Sequence, residues 1–248
     1  MSRASSPIVS CRGLCKSFAA KLVLRGVDID VLRGETLVVL GGSGSGKSVL
    51  LKHMNGLMRP DRGQIRVDGE DIGDLDEVAL GPIRRKVGML FQMGALFDSM
   101  SVLDNVAYPM RETGVRDEAA IRERVAQLLG VVGLADTEAL TPAELSGGMR
   151  KRAALARALA LEPRVLLYDE PTTGLDPVVA QKINVLIRDL QSRFGLTGVV
   201  VTHDLHSAFF VADRIAFLHE GRIAFTGTPQ DARQSPHPEL REFLEAAA

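Results

Sequence analysis

Cysteine is almost missing from this sequence: Cys11 and Cys15 are the only two in 248 residues, close together in what reads as an early strand and its turn. No further metal-ligand partners stand beside them, so neither a disulfide framework nor a cysteine metal site is expected, and both read as reduced packing residues. An excess of one charge is missing too. The 30 Lys and Arg are balanced by 31 Asp and Glu, a formal net charge of -1, which offers no electrostatic footprint for nucleic acid. No apolar run approaches the ~20 residues of a membrane span. Met1-Ser2-Arg3-Ala4-Ser5-Ser6-Pro7 lacks the apolar core of a signal peptide. A cytosolic chain is therefore expected, with any membrane association supplied by a partner. Neither an internal repeat nor a long coiled-coil insertion is present. At this length, burial needs no covalent staples.

What is present is organised around Gly41-Gly42-Ser43-Gly44-Ser45-Gly46-Lys47-Ser48, directly after the apolar run Thr36-Leu37-Val38-Val39-Leu40. The stretch matches G-x-x-x-x-G-K-[ST] at every fixed position. Its glycines let the backbone turn tightly and bring N–H groups close to phosphate oxygens, while the helix expected from Val49-Leu50-Leu51 offers its positive end. Lys47 is placed to reach terminal phosphates, and the Ser48 hydroxyl to complete a Mg²⁺ shell. The expected ligand is a nucleoside triphosphate with magnesium.

Upstream, Ile8-Val9-Ser10-Cys11-Arg12-Gly13-Leu14 and Val27-Asp28-Ile29-Asp30-Val31 alternate as half-exposed antiparallel strands do. Phe18 lies between them, either a core residue or a platform on which a base stacks. After the loop, residues 49–57 read as a helix, Gly63-Gln64-Ile65-Arg66-Val67-Asp68-Gly69 as a short strand and turn, and Val87-Gly88-Met89-Leu90-Phe91 as a buried strand ending at Gln92. From Met93 to about Leu161 helical periodicity takes over. Ile121, Val125, Leu128, Leu129 and Val132 form one apolar stripe, while Arg122, Glu123 and Arg124 face outward. Ser146, ahead of Gly147-Gly148-Met149, can cap the next helix, and the same glycines can expose N–H groups as a second anion site.

Strand signals return at Val165-Leu166-Leu167-Tyr168, which ends in Asp169-Glu170. Carboxylates at the C-terminal end of a buried parallel strand sit where such sheets bind ligands, and here Asp169 can hold Mg²⁺ while Glu170 orients or deprotonates a water. Residues 182–193 form an amphipathic helix with Ile183, Leu186, Ile187 and Leu190 inward. Gly198-Val199-Val200-Val201-Thr202 is another buried strand, ending at His203-Asp204. His203 is either a hydrogen-bonded loop residue or a sensor of the γ-phosphate. A hairpin about Glu220-Gly221 and a weak helix over residues 240–244 complete the chain, and residues 246–248 are expected to fray.

Taken together, these stretches resemble the ATP-binding subunit of ABC transporters over essentially the full length. Walker A, Q-loop, LSGG signature, Walker B and H-loop occur in family order. The resemblance implies an α/β fold with a P-loop NTPase (RecA-like) core, an antiparallel β-subdomain and an inserted helical subdomain. It divides a single domain, residues 1–248, into a nucleotide-binding core with its β-subdomain (1–92 and 162–248) and a helical subdomain (93–161). It implies ATP hydrolysis, with ATP and Mg²⁺ bound. By resemblance Phe18 is the A-loop stacking residue, and residues 41–49, Val49 included, line the phosphates. Gln92 is the Q-loop magnesium and coupling residue, Ser48 and Asp169 hold the metal, Lys47, Glu170 and His203 serve catalysis, and Gly174-Leu175-Asp176 is the D-loop. Ser146, Gly147 and Gly148 would contact ATP held by a second copy, so a head-to-tail homodimer is implied, closed by ATP and released by hydrolysis.

Two departures narrow the resemblance. Met149 stands where the usual LSGGQ has its glutamine, and its thioether cannot donate as an amide does. Gly94-Ala95-Leu96-Phe97-Asp98-Ser99 follows Gln92, with Asp98 where many members have proline. Both features are similar to the ATPase of Mla/Mce-type phospholipid transporters. That similarity implies a permease docked near residues 92–111, a peripheral position on the cytoplasmic face of the inner membrane, an Mce-type lipid-binding protein and a small cytosolic accessory domain. An ATPase for another small solute and a mechanical switch of the cell-division type are the alternatives.

Overall fold

The computed structural model describes residues 6–246, so the expectations for Met1 to Ser5 and for Ala247 and Ala248 fall outside the described residues. The chain begins with strands β1 (Val9–Phe18) and β2 (Lys21–Val31), then β3 (Thr36–Leu40) and helix α1 (Lys47–Met54). Strands β4 (Arg62–Val67) and β5 (Glu70–Asp71), helix α2 (Glu77–Lys86) and strand β6 (Val87–Leu90) follow. Three helices come next, α3 (Val102–Glu112), α4 (Glu118–Val131) and α5 (Gly147–Leu159), the last introduced by a 3-10 turn over Pro142–Glu144. The remainder alternates as β7 (Val165–Asp169), α6 (Pro177–Phe194), β8 (Thr197–Thr202), α7 (Leu205–Val211), β9 (Arg214–His219), β10 (Arg222–Gly227), α8 (Pro229–Arg233) and α9 (Pro238–Ala246).

Two sheets result. The larger runs β10-β9-β3-β8-β7-β6, with β9, β3, β8, β7 and β6 parallel and β10 closing one edge as the expected antiparallel hairpin. The smaller, β2-β1-β4-β5, is antiparallel throughout. β1 and β2 run longer than their alternating apolar segments suggest, because polar residues such as Lys16 and Ser17 still pair with Leu24 and Leu22.

The central strands are apolar on both faces because both are covered, as expected of a parallel sheet. On β3, Val38 and Leu40 join the core shared with α3 to α7, while Leu37 and Val39 join the core shared with α1 and the smaller sheet. β7 divides in the same way, with Leu166 and Tyr168 on the helical side and Val165 and Leu167 on the other. The stripe of Ile121, Val125, Leu128, Leu129 and Val132 is buried as its spacing predicts. A mostly parallel core sheet, a separate antiparallel sheet and a run of helices between β6 and β7 are the parts the sequence leads one to expect. The C-terminal ends of β3, β7 and β8 point toward one another's following loops, which places residues 41–48, 170 and 203 at one end of the sheet.

Candidate functional site

The loop after β3 owes its path to two glycines. At Gly41 a Cβ would lie 2.4 Å from the carbonyl oxygen of Leu218, so only a bare backbone passes β9 there. Gly46 adopts φ 107°, a conformation L side chains rarely take, and serves as the N-cap of α1 with no side-chain hydrogen bond to the helix. The first N–H groups of α1 therefore lack both intrahelical and side-chain partners, and the positive helix end opens on the loop. Ser45 Oγ is buried without a hydrogen-bond partner.

Lys47 is buried and folds back, its Nζ donating to the carbonyls of Gly41 at 2.7 Å and Gly42 at 3.0 Å. Burial holds it below the usual lysine range, opposed by the fields of Glu170 and Asp169. Beside it, Ser48 Oγ donates to Asp169 Oδ1 at 2.7 Å across 121 residues of sequence. A hydroxyl and a carboxylate converging at a helix start supply the hard oxygen donors Mg²⁺ takes, so these residues fit that ion.

Glu170 follows β7 in a left-handed conformation, φ 48°. Its carboxylate is held on three sides: Thr202 and Thr173 hydroxyls each donate to Oε2 at 3.1 Å, and His203 Nδ1 lies 3.0 Å from both oxygens. Lys47 Nζ is 3.8 Å from Oε1. His203 itself is exposed, so its imidazole faces the opening while the carboxylate sits inside.

A cavity of about 630 Å³ joins these groups, lined by Phe18, Gly42, Ser43, Gly44, Gly46, Lys47, Ser48, Val49, Gln92, Glu170 and His203. Phe18 is 44% exposed at the end of β1, with Lys16 Nζ 5.8 Å from its ring centre. Of the expected residues, Gly41, Ser45 and Asp169 sit behind the lining, Asp169 reaching it through Ser48, and Ser146, Gly147, Gly148 and Asp176 do not line this cavity. Ser146 caps α5, its hydroxyl accepting from the Met149 N–H at 3.3 Å, and Asp176 caps α6 by accepting from Val178 and Val179. Gly148 packs so closely on α6 that a Cβ there would lie 2.3 Å from Val179 Cγ1. Sequence reasoning missed Val23 and Phe243, which also line the cavity, and the two threonines on Glu170. Thr202 was readable as the residue ahead of His203, whereas nothing local marks Phe243, which reaches the site only because α9 folds back.

A strand-loop-helix phosphate cradle, with two acidic residues at the C-terminal end of β7, the next strand but one in the same parallel sheet, defines a P-loop nucleotide hydrolase. Residues 24–173 match the family model described as ABC transporter. The "Probable ribonucleotide transport ATP-binding protein mkl" of Mycobacterium leprae is 43% identical over 236 residues, 95% of this chain and 68% of its own length. "Methionine import ATP-binding protein MetN" of Brucella abortus is 43% identical over 223 residues, 90% of this chain and 60% of its own. Among solved structures, a dimeric post-hydrolysis ATP-binding cassette bound to ADP and Pi superposes with TM-score 0.82 at 32% identity, covering 89% of this chain and 98% of that one. The cbiO1 subunit from Clostridium perfringens, part of the transporter complex cbiONQ, gives TM-score 0.84 at 30% identity, covering 97% and 96%. The chain belongs to the ABC transporter family as its ATP-binding cassette, an ATPase domain coupled to transport. Among the described residues, no helix is long and apolar enough to cross a membrane.

Proposed function

We propose that the cavity between the phosphate loop and Glu170 binds ATP with Mg²⁺, and that its hydrolysis drives a phospholipid transporter of the Mla/Mce type. The observation that carries the chemistry is the convergence of Lys47, Ser48, Asp169, Glu170 and His203 at one end of the sheet. Phe18 would stack the base, and residues 42–49 would wrap the phosphates with backbone N–H groups. Lys47, now bonded to loop carbonyls, exchanges them for phosphate oxygens. Ser48, Asp169 and Gln92 would hold the metal, which supplies charge neutralisation at the phosphates. Glu170 takes a proton from the attacking water, while Thr202 and Thr173 hold the carboxylate in place and His203 bridges it to the cavity mouth.

We assign residues 1–92 and 162–248 to the nucleotide-binding core with its β-subdomain and 93–161 to the helical subdomain. Ser146 and Gly147 are outside the cavity of their own chain, which supports a role toward a nucleotide held by a second copy. Two copies head to tail would close two such sites. A second cavity, about 490 Å³, supports docking of a permease helix: Leu57, Met89, Phe91, Phe97 and Tyr108 line it, with Arg84, Arg85 and Arg157 also present. Buried Asn105 braces its wall, donating to the carbonyls of Phe97, Met100 and Ser101 and accepting from the Phe97 N–H. Such docking would place the chain at the cytoplasmic face of the inner membrane.

The phospholipid assignment rests on the Gly94–Ser99 stretch and on Met149. The names of the relatives favour a different cargo, ribonucleotide for one and methionine for the other, so small-solute transport is the competing reading. Affinity purification of the Glu170→Gln chain with ATP in mild detergent separates them. A permease with an Mce-type protein and phospholipid supports lipid transport. A permease alone supports small-solute transport, and a cell-division partner supports a mechanical switch.

A further inference from the structure

Lys151 is a buried cation without a carboxylate partner among the described residues. It lies on α5, five residues after the Ser146 cap, and is 6% exposed. Its Nζ donates to the backbone carbonyl of Gln92 and, at 3.3 Å, to that of Glu170. These two carbonyls belong to the loops that leave β6 and β7, and the residues carrying them line the ATP cavity. No ion pair within 4.0 Å involves this ammonium among the described residues; burial holds it below the usual lysine range, opposed by the charges of Asp169 and Glu170. An isolated buried lysine is costly, and a neutral residue of similar length would fill the same space. Its partners explain what the charge does: an ammonium presents donors in a fan, so one group joins two loops that do not bond to each other.

The second carbonyl matters most. Glu170 has φ 48°, and the orientation of its peptide decides whether its carboxylate faces His203 and Lys47. A carbonyl fixed by a buried cation resists the rotation that would relax this conformation. The loop after Gln92 is held by α5 a second time, Arg157 donating to the carbonyls of Gly94 and Ala95 at 3.0 and 2.8 Å. α5 thus grips the whole segment from Gln92 to Ala95, and through Lys151 alone it also reaches Glu170.

We propose that Lys151 is a positioning residue for hydrolysis, fixing the peptides of Gln92 and Glu170 to the helix that begins at Ser146. The inference rests on the reading of Glu170 as the base. Displacement of α5, whether by a second copy at Ser146 or by a permease at Phe97, then reaches the base through one side chain. Gln92 aside, the groups that would bind ATP do not need this link, because among the described residues no hydrogen bond joins Phe18 or residues 42–48 to α5.

Lys151→Met and Lys151→Gln are compared with the parent and with Glu170→Gln in the full chain, by steady-state ATP turnover, binding of a fluorescent ATP analogue and amide hydrogen exchange. Misplaced catalytic groups commonly cost about a hundredfold, so Lys151→Met is expected to lose about ten- to a hundredfold in kcat. KM and analogue affinity should stay within about twofold, a split that a loss of fold would not give. Exchange should rise at residues 92–95 and 171–175 and not in β3 or α1. Lys151→Gln, which keeps amide donors, should recover part of the rate. Unchanged kcat in Lys151→Met overturns the inference, as does equal loss of affinity and rate, or unfolding of both variants. If Glu170→Gln alone loses turnover, only the inference has failed. If Glu170→Gln keeps normal turnover, the reading of the base has failed.

Discussion

Replacing Glu170 by glutamine isolates its chemistry from its packing. The carboxylate sits with its side chain 10% exposed, accepting from Thr202 and Thr173 at 3.1 Å and lying 3.0 Å from His203 Nδ1. An amide of the same shape keeps an oxygen for the two threonine hydroxyls and can turn its NH₂ to the imidazole nitrogen, so the fold should hold. What disappears is the ability to take a proton. A positioned general base contributes about 10²–10⁴-fold. At 1.36 kcal/mol per tenfold the barrier should rise by about 2.7–5.4 kcal/mol.

The same substitution removes a negative charge 3.8 Å from Lys47 Nζ. That ammonium then has only loop carbonyls to exchange for phosphate oxygens, and two anionic groups no longer compete for it. Binding of ATP should be retained or tightened. Phosphate release at saturating ATP, analogue binding, and sedimentation with and without ATP measure the three consequences. The expected variant turns over slowly and accumulates as an ATP-bound dimer. Turnover within threefold of the parent would refute the assignment of Glu170 as base. A parallel loss of ATP affinity would instead show that the carboxylate serves to hold Lys47 in place.

Lys47→Ala should weaken nucleotide binding at least about tenfold, since each charge-assisted hydrogen bond contributes about 1.5–3 kcal/mol; unchanged affinity by titration calorimetry would remove the phosphate-cradle assignment. Gly148→Ala should lower stability by about 1–3 kcal/mol, because the added methyl meets Val179 Cγ1 at 2.3 Å, and Val179→Ala in the same chain should recover most of the loss in thermal unfolding. Asp68, in a left-handed turn at φ 52°, binds Arg33 at 2.6 Å and Arg164 at 2.7 Å, with Lys86 at 3.4 Å. The Arg33 hydrogen bond, opposed by burial and aided by the Arg164 charge, holds its carboxyl below the usual range. Its contribution is therefore present above the unfolded carboxyl pKa of about 3.9 and lost as pH falls through the lower folded value. Asp68→Asn, which tolerates the same turn, should cost about 1–3 kcal/mol in denaturant unfolding at pH 7, and progressively less as the pH is taken below about 3.9.

The site was legible because its chemistry is local: a phosphate loop, a strand ending in two carboxylates and a strand ending in histidine each announce themselves within about eight residues. Their meeting at one end of the sheet follows from parallel strands sharing a direction. The helices α2 and α3 were less legible. Each carries an interior proline, Pro82 or Pro109, which reads locally as a breaker. Both persist because Asp76 and Ser101 cap them and because Leu80 and Ile83, or Val102, Val106 and Met110, fill the core. Lys151 was invisible for a different reason. In sequence it is one of three basic residues, Arg150-Lys151-Arg152, and only the fold buries the middle one under two loops 59 and 19 residues away.

The halves of the expected reaction centre are separated within one chain, yet α5 connects them mechanically. Its first turn carries the Ser146 cap, leaves no room for a methyl at Gly148 against α6, and holds Gln92 and Glu170 through Lys151. α6 in turn starts at Asp176, whose carboxylate caps it. A rigid displacement of the α5 N-terminus would therefore pull on Glu170 and press on the helix after Asp176 together, while the phosphate loop, packed against β9 at Gly41, stays in place. Such an arrangement allows ATP to bind before the hydrolytic geometry is complete, with completion depending on whatever seats α5. Rates in a chain lacking Lys151 should then respond less to dimerisation than those of the parent, even where both bind ATP equally.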